Sequence, residues 1–182
     1  GVLMSKRNLP LSKVYAVLEA GPVVLVATAI KDRANVMPLS WLTMLDFEPP
    51  LVGLVMSDRN YSFAALRATR ECTLNVPTVE IAQQAVDCGG VSGAKIDKFA
   101  TFGLTPIPAA HVRAPLIAEC PLNFECRVVD MGLVKKYDLF VLEVVKAWTD
   151  FPAPKRLRTI HHLGGERFMV AGSTIRLKTR AK

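Results

Sequence analysis

Residues 122 to 148, LNFECRVVDMGLVKKYDLFVLEVVKAW, decide the fold class. Two runs alternate with a period of two. Phe124, Cys126 and Val128 share one side of the first, and Phe140, Leu142 and Val144 share one side of the second. That period belongs to a strand, where successive side chains point to opposite faces. GLVKK between LNFECRVVDM and YDLFVLEVVKAW reads as a hairpin connection, so the two strands are predicted to be antiparallel. Working outward, VVLVATAI (Val23 to Ile30) is short, β-branched and followed by KDRAN, a strand entering a turn. VMPLSWLTM and LVGLVMS, separated by DFEPP, read as two further strands of a meander, TLNVP as another ended by Pro77, and RFMVAGSTIRLK as a last extended stretch. Helical spacing appears in FAALRATR, in TVEIAQQAVDC with Thr78 as N-cap and Gly89-Gly90 as stop, and in the single turn DKFATFG. Strands joined mostly by hairpins, with few helices, predict a mainly β fold. The expected form is an antiparallel barrel, closed so that its edges vanish, with peripheral helices outside.

At 182 residues the chain is of ordinary single-domain size, long enough to bury roughly 70% of its unfolded surface. No repeat or low-complexity linker divides it, so one domain is expected over 1–182. Hydrophobic residues make up 51% and charged residues 21%, a globular composition. Charges at Lys31, Asp46, Glu48 and Asp58 break the most apolar region well short of a membrane span, and the opening GVLMSKRNLPLSK lacks a signal peptide's apolar core. A soluble, cytoplasmic protein without membrane association is expected. Cys72, Cys88, Cys120 and Cys126 form no CxxC pair and do not cluster with His111, His161 or His162, so no metal site is expected. Much of the net charge of +7 is terminal, and no basic stretch is interleaved with aromatics, so nucleic acid is not an expected partner.

Three polar clusters sit at the ends of apolar elements. In the first, Asn35 to Thr43, a tryptophan lies between hydroxyl residues; in a half-buried strand such a residue ordinarily fills a core. The second, SDRNYS (57–62), follows a strand and opens a helix. There unpaired backbone N–H groups and the positive dipole end suit an anion, and Ser57, Arg59, Asn60 and Ser62 flank it; the competing reading is an ordinary helix cap. The third, GGVSGAKIDKF (89–99), joins glycines that allow a tight backbone path to Lys95 and Lys98.

In this order the clusters resemble the flavin reductase-like, FMN-binding split-barrel family that includes the flavoredoxins. The matching pieces are VVLVAT, then N-x-M-x-x-S-W at Asn35, Met37, Ser40 and Trp41, then SDRNYS, LNVP, SGAKIDKFATFGLT, APLIAECPLNFEC, LFVLEV and GGERFMVAG. They run from about Gly21 to Gly172. The resemblance implies an antiparallel split β-barrel of the FMN-binding type, and a homodimer with one FMN per subunit near the interface. It implies that Asn35, Met37, Ser40, Trp41 and Thr43 line the ring and ribityl chain, and that Ser62 and Lys98, with Ser57, Arg59, Asn60 and Ser92 around them, serve the phosphate. Phe168 matches a late aromatic that approaches the flavin, whereas Lys95 is expected to be solvated.

The activity so implied is an oxidoreductase: an NAD(P)H:flavin reductase or flavoredoxin-like electron carrier, with NADH or NADPH as reductant and an unidentified electron acceptor. The flavin carries the chemistry, so no protein nucleophile is required. The alternative is a flavin-binding carrier or redox partner with little reductase activity of its own. One departure bears on that choice. Relatives commonly carry Gly-Asp-His before the LFVLEV strand, and here Lys135, Lys136 and Tyr137 stand there, with Tyr137 at the histidine position and a candidate for the reductant site.

Overall fold

The structure, a computed structural model, describes residues 21–150 and 155–179, and the period-two stretches within them are strands. They are β1 (Val24–Ile30), β2 (Arg33–Leu39), β3 (Leu42–Phe47), β4 (Pro50–Val55), β5 (Glu71–Val76), β8 (Leu122–Asp130) and β9 (Leu139–Thr149). These seven form one antiparallel sheet in the order β2-β1-β5-β8-β9-β4-β3. Short pairs β6 (Pro106–Ile107) with β7 (Leu116–Ile117), and β10 (Ile160–His162) with β11 (Phe168–Val170), lie beside it. The helices are brief: α1 (Tyr61–Thr69), α2 (Ala82–Asp87), α3 (Lys98–Phe102) and α4 (Val134–Tyr137).

The two edge strands, β2 and β3, are consecutive in the chain and joined only by Ser40 and Trp41. In a flat sheet six spacings of about 4.8 Å would hold them about 29 Å apart. Three Cα steps of about 3.8 Å reach at most about 11 Å. The sheet therefore curls until its edges meet at this end. It does not close, because β2 bonds only to β1 and β3 only to β4. This is a split barrel, and the expectation of full closure fails at this seam. VMPLSWLTM, read from its composition as one strand, is cut there: Leu42 N donates to the Ser40 carbonyl at 3.1 Å and Val55 N to that of Trp41 at 2.9 Å. Pro38, which lacks an N–H, is tolerated because β2 is an edge.

The barrel interior holds Val24, Val26, Met37, Leu39, Leu54, Cys126, Phe140 and Leu142, while Leu25 and Ala27 of β1 face a second cluster with Ile81, Ala85, Phe99 and Ile117. β1 is thus buried on both faces, which explains its continuous apolar run. Leu66 brings α1 against the barrel interior; α2 and α3 contribute to the outer cluster. Asn75 pins the outer layer. It donates to the Leu25 carbonyl and the Thr73 hydroxyl, both at 3.0 Å, and accepts from Ile117 N at 3.1 Å and Asn123 Nδ2 at 2.8 Å.

Three local expectations change, at GLVKK, at Thr78 and in the last extended stretch. GLVKK does join an antiparallel pair, but part of it winds into α4, so Tyr137 ends a helical turn and β9 starts at Leu139. A register shift opposite Glu125 and Cys126 leaves Val145 of β9 as the extra residue, so β8 keeps its alternation, with Phe124, Cys126 and Val128 all on the interior cluster and Glu125 buried on the other face, where it accepts from His111 N and Trp148 Nε1. Thr78 precedes a short 3₁₀ turn (Val79–Ile81), and its hydroxyl engages the Glu80 carboxylate instead of capping the backbone. Only Phe168–Val170 of the last extended stretch is strand. Among the described residues no helix is long and apolar enough to cross a membrane, and no three His, Cys, Asp or Glu side chains are grouped to hold a metal.

Candidate functional site

The helix that SDRNYS opens is α1, with Asn60 as its N-cap residue in extended conformation (φ −76°, ψ 138°). Its side chain does not cap the helix; Nδ2 donates back to the Ser57 carbonyl at 3.2 Å. The first turn carries no acidic residue. The ordinary-cap reading therefore fails, and the positive end of the helix is not neutralised by its own sequence. One residue into the helix Ser62 is buried, its hydroxyl accepting from Asn35 Nδ2 at 2.8 Å. Asn35 comes from β2, so this bond ties the first polar cluster to the second.

The glycine loop completes the wall. A Cβ at Gly93 would lie 2.0 Å from Asn35 Oδ1, so only glycine lets the loop approach. Arg33 holds the loop by donating to the Gly93 carbonyl, and its guanidinium lies 5.5 Å from the Tyr61 ring centroid. Beyond the loop Asp97 caps α3, its Oδ1 accepting from Ala100 N at 3.2 Å, which sets Lys98 at the first helical position. Lys98 turns inward, is only 5% exposed, and donates from Nζ to the Cys88 carbonyl at 2.6 Å. Burial pulls its pKa below the ordinary lysine value, with the neighbouring Cys88 thiol pulling the other way. Burial likewise pushes the Cys88 thiol up to about 11, although Lys98 opposes this, so that sulfur is inert. Lys95 is exposed.

These groups surround a cavity of about 330 Å³, which Asn35, Met37, Arg59, Asn60, Ser62, Ser92 and Lys98 all line. Met37, Pro38, Arg59 and Asn60 also line a wider depression of about 750 Å³, where Ser40, Trp41, Ser57 and Tyr137 appear. A third hollow of about 370 Å³ shares Pro38 and Ser40 with that depression and brings in Phe168 and His162. Their ring centroids are 5.0 Å apart, and His162 Nε2 lies 2.8 Å from the Gly165 carbonyl oxygen. The three spaces form one continuous trough along the end of β2.

Eleven of the twelve residues assigned to cofactor binding line this trough, as does Tyr137; Thr43 does not. It lies on exposed β3, its hydroxyl donating to the Met44 carbonyl at 3.4 Å. Trp41 is 52% exposed, so the core-filling reading of this tryptophan is overturned. The sequence reading missed Pro38, which borders all three spaces, together with Tyr61, Cys88 and His162. Pro38 stood inside N-x-M-x-x-S-W and so was in view as a spacer. His162 carries no local signal beyond its place beside Gly164-Gly165.

In this split antiparallel barrel a buried cation, two bonded polar side chains and a glycine loop near a helix start lie together at one end of a larger slot, a donor set whose chemistry suits an anion. Residues 18–163 match the flavin reductase like domain family, and the chain belongs to that family. An uncharacterized protein of Archaeoglobus fulgidus is 33% identical over 114 residues, 63% of this chain; the match spans less than two thirds of that relative, 64%. Among solved structures, the FMN-binding domain of a flavin reductases-like enzyme from Shewanella baltica is 27% identical, with a TM-score of 0.81, over 96% of this chain and all (100%) of that one. Flavoredoxin of Desulfovibrio vulgaris shares the fold with a TM-score of 0.85 over 98% of this chain and 99% of that one, at 22% identity.

Proposed function

We propose that this protein binds FMN in the trough and serves as a flavin-dependent oxidoreductase that takes electrons from NADH or NADPH. The observation that carries the reading is Lys98: a buried ammonium whose pKa is depressed by burial, facing a cavity closed by Asn35, Ser62 and a glycine that cannot be larger. A dianionic phosphate offsets that burial, since an opposite charge restores the charged form of the lysine. Arg59, Asn60 and Ser92 at the rim, with the positive end of α1, complete the donor set for the phosphate. The wider depression suits the ring: Met37 and Trp41 offer apolar faces, Ser40 and Ser57 offer short polar groups to amide-like edges, and Phe168 stands at the far end. When bound, the flavin accepts a hydride and passes electrons on.

The acting form in this reading is a homodimer. β3 is an edge strand with Met44, Leu45 and Phe47 exposed, the last to 83%, and such an edge is normally covered. Tyr137 favours a second reading, a flavin-binding carrier with little reductase activity of its own. It is 55% exposed at the trough wall, at the position where the family resemblance leads one to expect a histidine. Two measurements decide. A yellow purified protein, or saturable quenching of added FMN fluorescence, is expected, and a colourless protein that leaves FMN fluorescence unchanged refutes the flavin site. Steady-state oxidation of NADH and NADPH by the FMN-loaded protein then separates reductase from carrier.

A further inference from the structure

On the opposite flank of α1 lies a cavity of about 520 Å³ that the flavin reading leaves unused, lined by Asp58, Phe63, Arg67, Met131, Val134, Lys135 and Asp138. Its volume falls in the range of small-ligand sites, roughly 300–1,000 Å³. Three of its residues, Asp58, Lys135 and Asp138, also line the wide depression, so the two spaces meet at a doorway built from two carboxylates and an ammonium. Beyond it the floor is apolar. Phe63 is fixed edge-on to buried Phe140, with centroids 5.4 Å apart, Val134 is buried, Met131 is half-buried, and exposed Arg67 lines the cavity from the last turn of α1.

Asp138 is held in the left-handed region (φ 55°, ψ 22°), where glycine would sit without strain. Its backbone is clamped on both sides: its N–H donates to the Val134 carbonyl at 2.9 Å, and its own carbonyl accepts from Met56 N at 3.1 Å. The strained position thus keeps a carboxylate at the doorway.

We propose that this cavity holds the adenylate end of the reduced dinucleotide, a proposal that rests on the reading of NADH or NADPH as electron donor. The assignment follows from the order of chemistry along the path. The nicotinamide lies in the open depression. At the doorway the ammonium of Lys135 meets phosphate oxygens, and Asp58 and Asp138 accept hydrogen bonds from ribose hydroxyls. Past the doorway a flat base lies on Phe63 and Met131, with the guanidinium of Arg67 against its face. A simple anion would not need the apolar floor, and an apolar ligand would not need the doorway.

The test uses 5′-AMP as the probe and two surface substitutions, Arg67→Ala and Lys135→Ala, neither of which removes a buried group. On FMN-loaded protein, 5′-AMP is expected to shift NMR signals of Phe63 and Val134, and each substitution to raise its Kd five- to tenfold. The ratio of the KM for NADH to that for 1-methyl-1,4-dihydronicotinamide, a donor with no adenylate, is expected to rise by a similar factor. Absence of 5′-AMP binding, or a ratio that neither substitution moves, overturns the proposal even where both donors reduce the flavin. If neither donor reduces the flavin while 5′-AMP still binds and Arg67→Ala weakens it, the reductase reading falls and the nucleotide site stands.

Discussion

Replacing Lys98 by methionine separates a binding lysine from a structural one. Lys98 is 5% exposed, and the bond from its ammonium to the Cys88 carbonyl is 2.6 Å long. A charge-assisted contact to phosphate contributes about 1.5–3 kcal/mol, so losing it weakens FMN by roughly ten- to a hundredfold. Stability moves much less, because two effects oppose each other. Removing the buried cation relieves its desolvation, while the Cys88 carbonyl loses its donor at a cost of about 1–3 kcal/mol. Methionine keeps the packing of the stem. The melting temperature of the FMN-free protein is expected to stay within about 4 °C, at about 2–4 °C per kcal/mol for a chain of this size. Solvated Lys95→Ala should change affinity less than threefold.

The same lysine carries a pH signature. Its folded pKa is lowered from 10.5, so between the lowered value and 10.5 the unfolded chain binds more protons, and the stability of the FMN-free protein rises with pH in that window. A bound phosphate restores the charged form, so the complex binds more protons than the free protein and FMN affinity falls as pH rises through the same window. Fluorescence-quenching titrations across pH, with thermal melts of the free protein, read both. A Lys98→Met protein with wild-type affinity, or one matched by Lys95→Ala, refutes the assignment, as does a pH slope that survives the substitution.

Gly93→Ala drives a methyl into Asn35, whose Oδ1 would lie 2.0 Å from the new Cβ, so the Asn35–Ser62 bond is expected to break and FMN affinity to fall at least tenfold; unchanged quenching curves would contradict this. Asn75→Ala leaves the Leu25 carbonyl, Ile117 N and Asn123 Nδ2 short of a partner and should cost about 2–4 kcal/mol in urea unfolding, an expectation that a loss below 1 kcal/mol would defeat. Phe47→Asp places a charge on the exposed apolar edge of β3, and if the proposed dimer forms through that edge, light scattering should show dimer for the parent and monomer for the variant; a parent monomer, or a dimer the variant leaves undisturbed, would defeat that interface. Tyr137→His should raise NADH or NADPH turnover and leave FMN affinity within about threefold, below one kcal/mol. Brisk parental turnover that the histidine does not change defeats this reading, and a large loss of FMN affinity would assign Tyr137 to the flavin pocket.

Hairpin strands were legible because one rule, alternation, governs them and acts between neighbours in the chain. The rule failed where a longer-range fact intervened. Opposite Glu125 and Cys126 the pairing skips Val145, so the alternation of β9 changes phase there while that of β8 runs on unbroken to Val128. GLVKK was read as a plain connection because a four-residue helix such as Val134–Tyr137 is too short to show a period. Among the site residues, those carrying charge or a hydroxyl in an ordered set were readable. Lys98 could be separated from Lys95 only by that set, because the two stand three residues apart in one segment and burial is not written in either. Pro38 and Cys88 border the cavities through position alone, and no chemical property of the residues announces it.

The least legible feature, the break in VMPLSWLTM, is also what makes the site. Apart from Pro38 and Ser40, Val36 to Met44 consists of apolar and β-branched residues, a pattern that reads as one strand. An unbroken strand would have kept Leu39 and Leu42 in one ladder. Instead the sheet ends twice in this segment, on β2 and on β3, and Ser40 and Trp41 span the gap with backbone groups turned to Leu42 and Val55. Pro38, Leu39, Ser40 and Trp41 therefore lie at the mouth of an open seam, where a closed barrel would have had a continuous wall. The exposure of Trp41, costly in a strand that packed on both sides, follows from the same break. A flat apolar ligand in the trough would cover that face, so the proposed cofactor gives the exposed ring of Trp41 a surface to lie against.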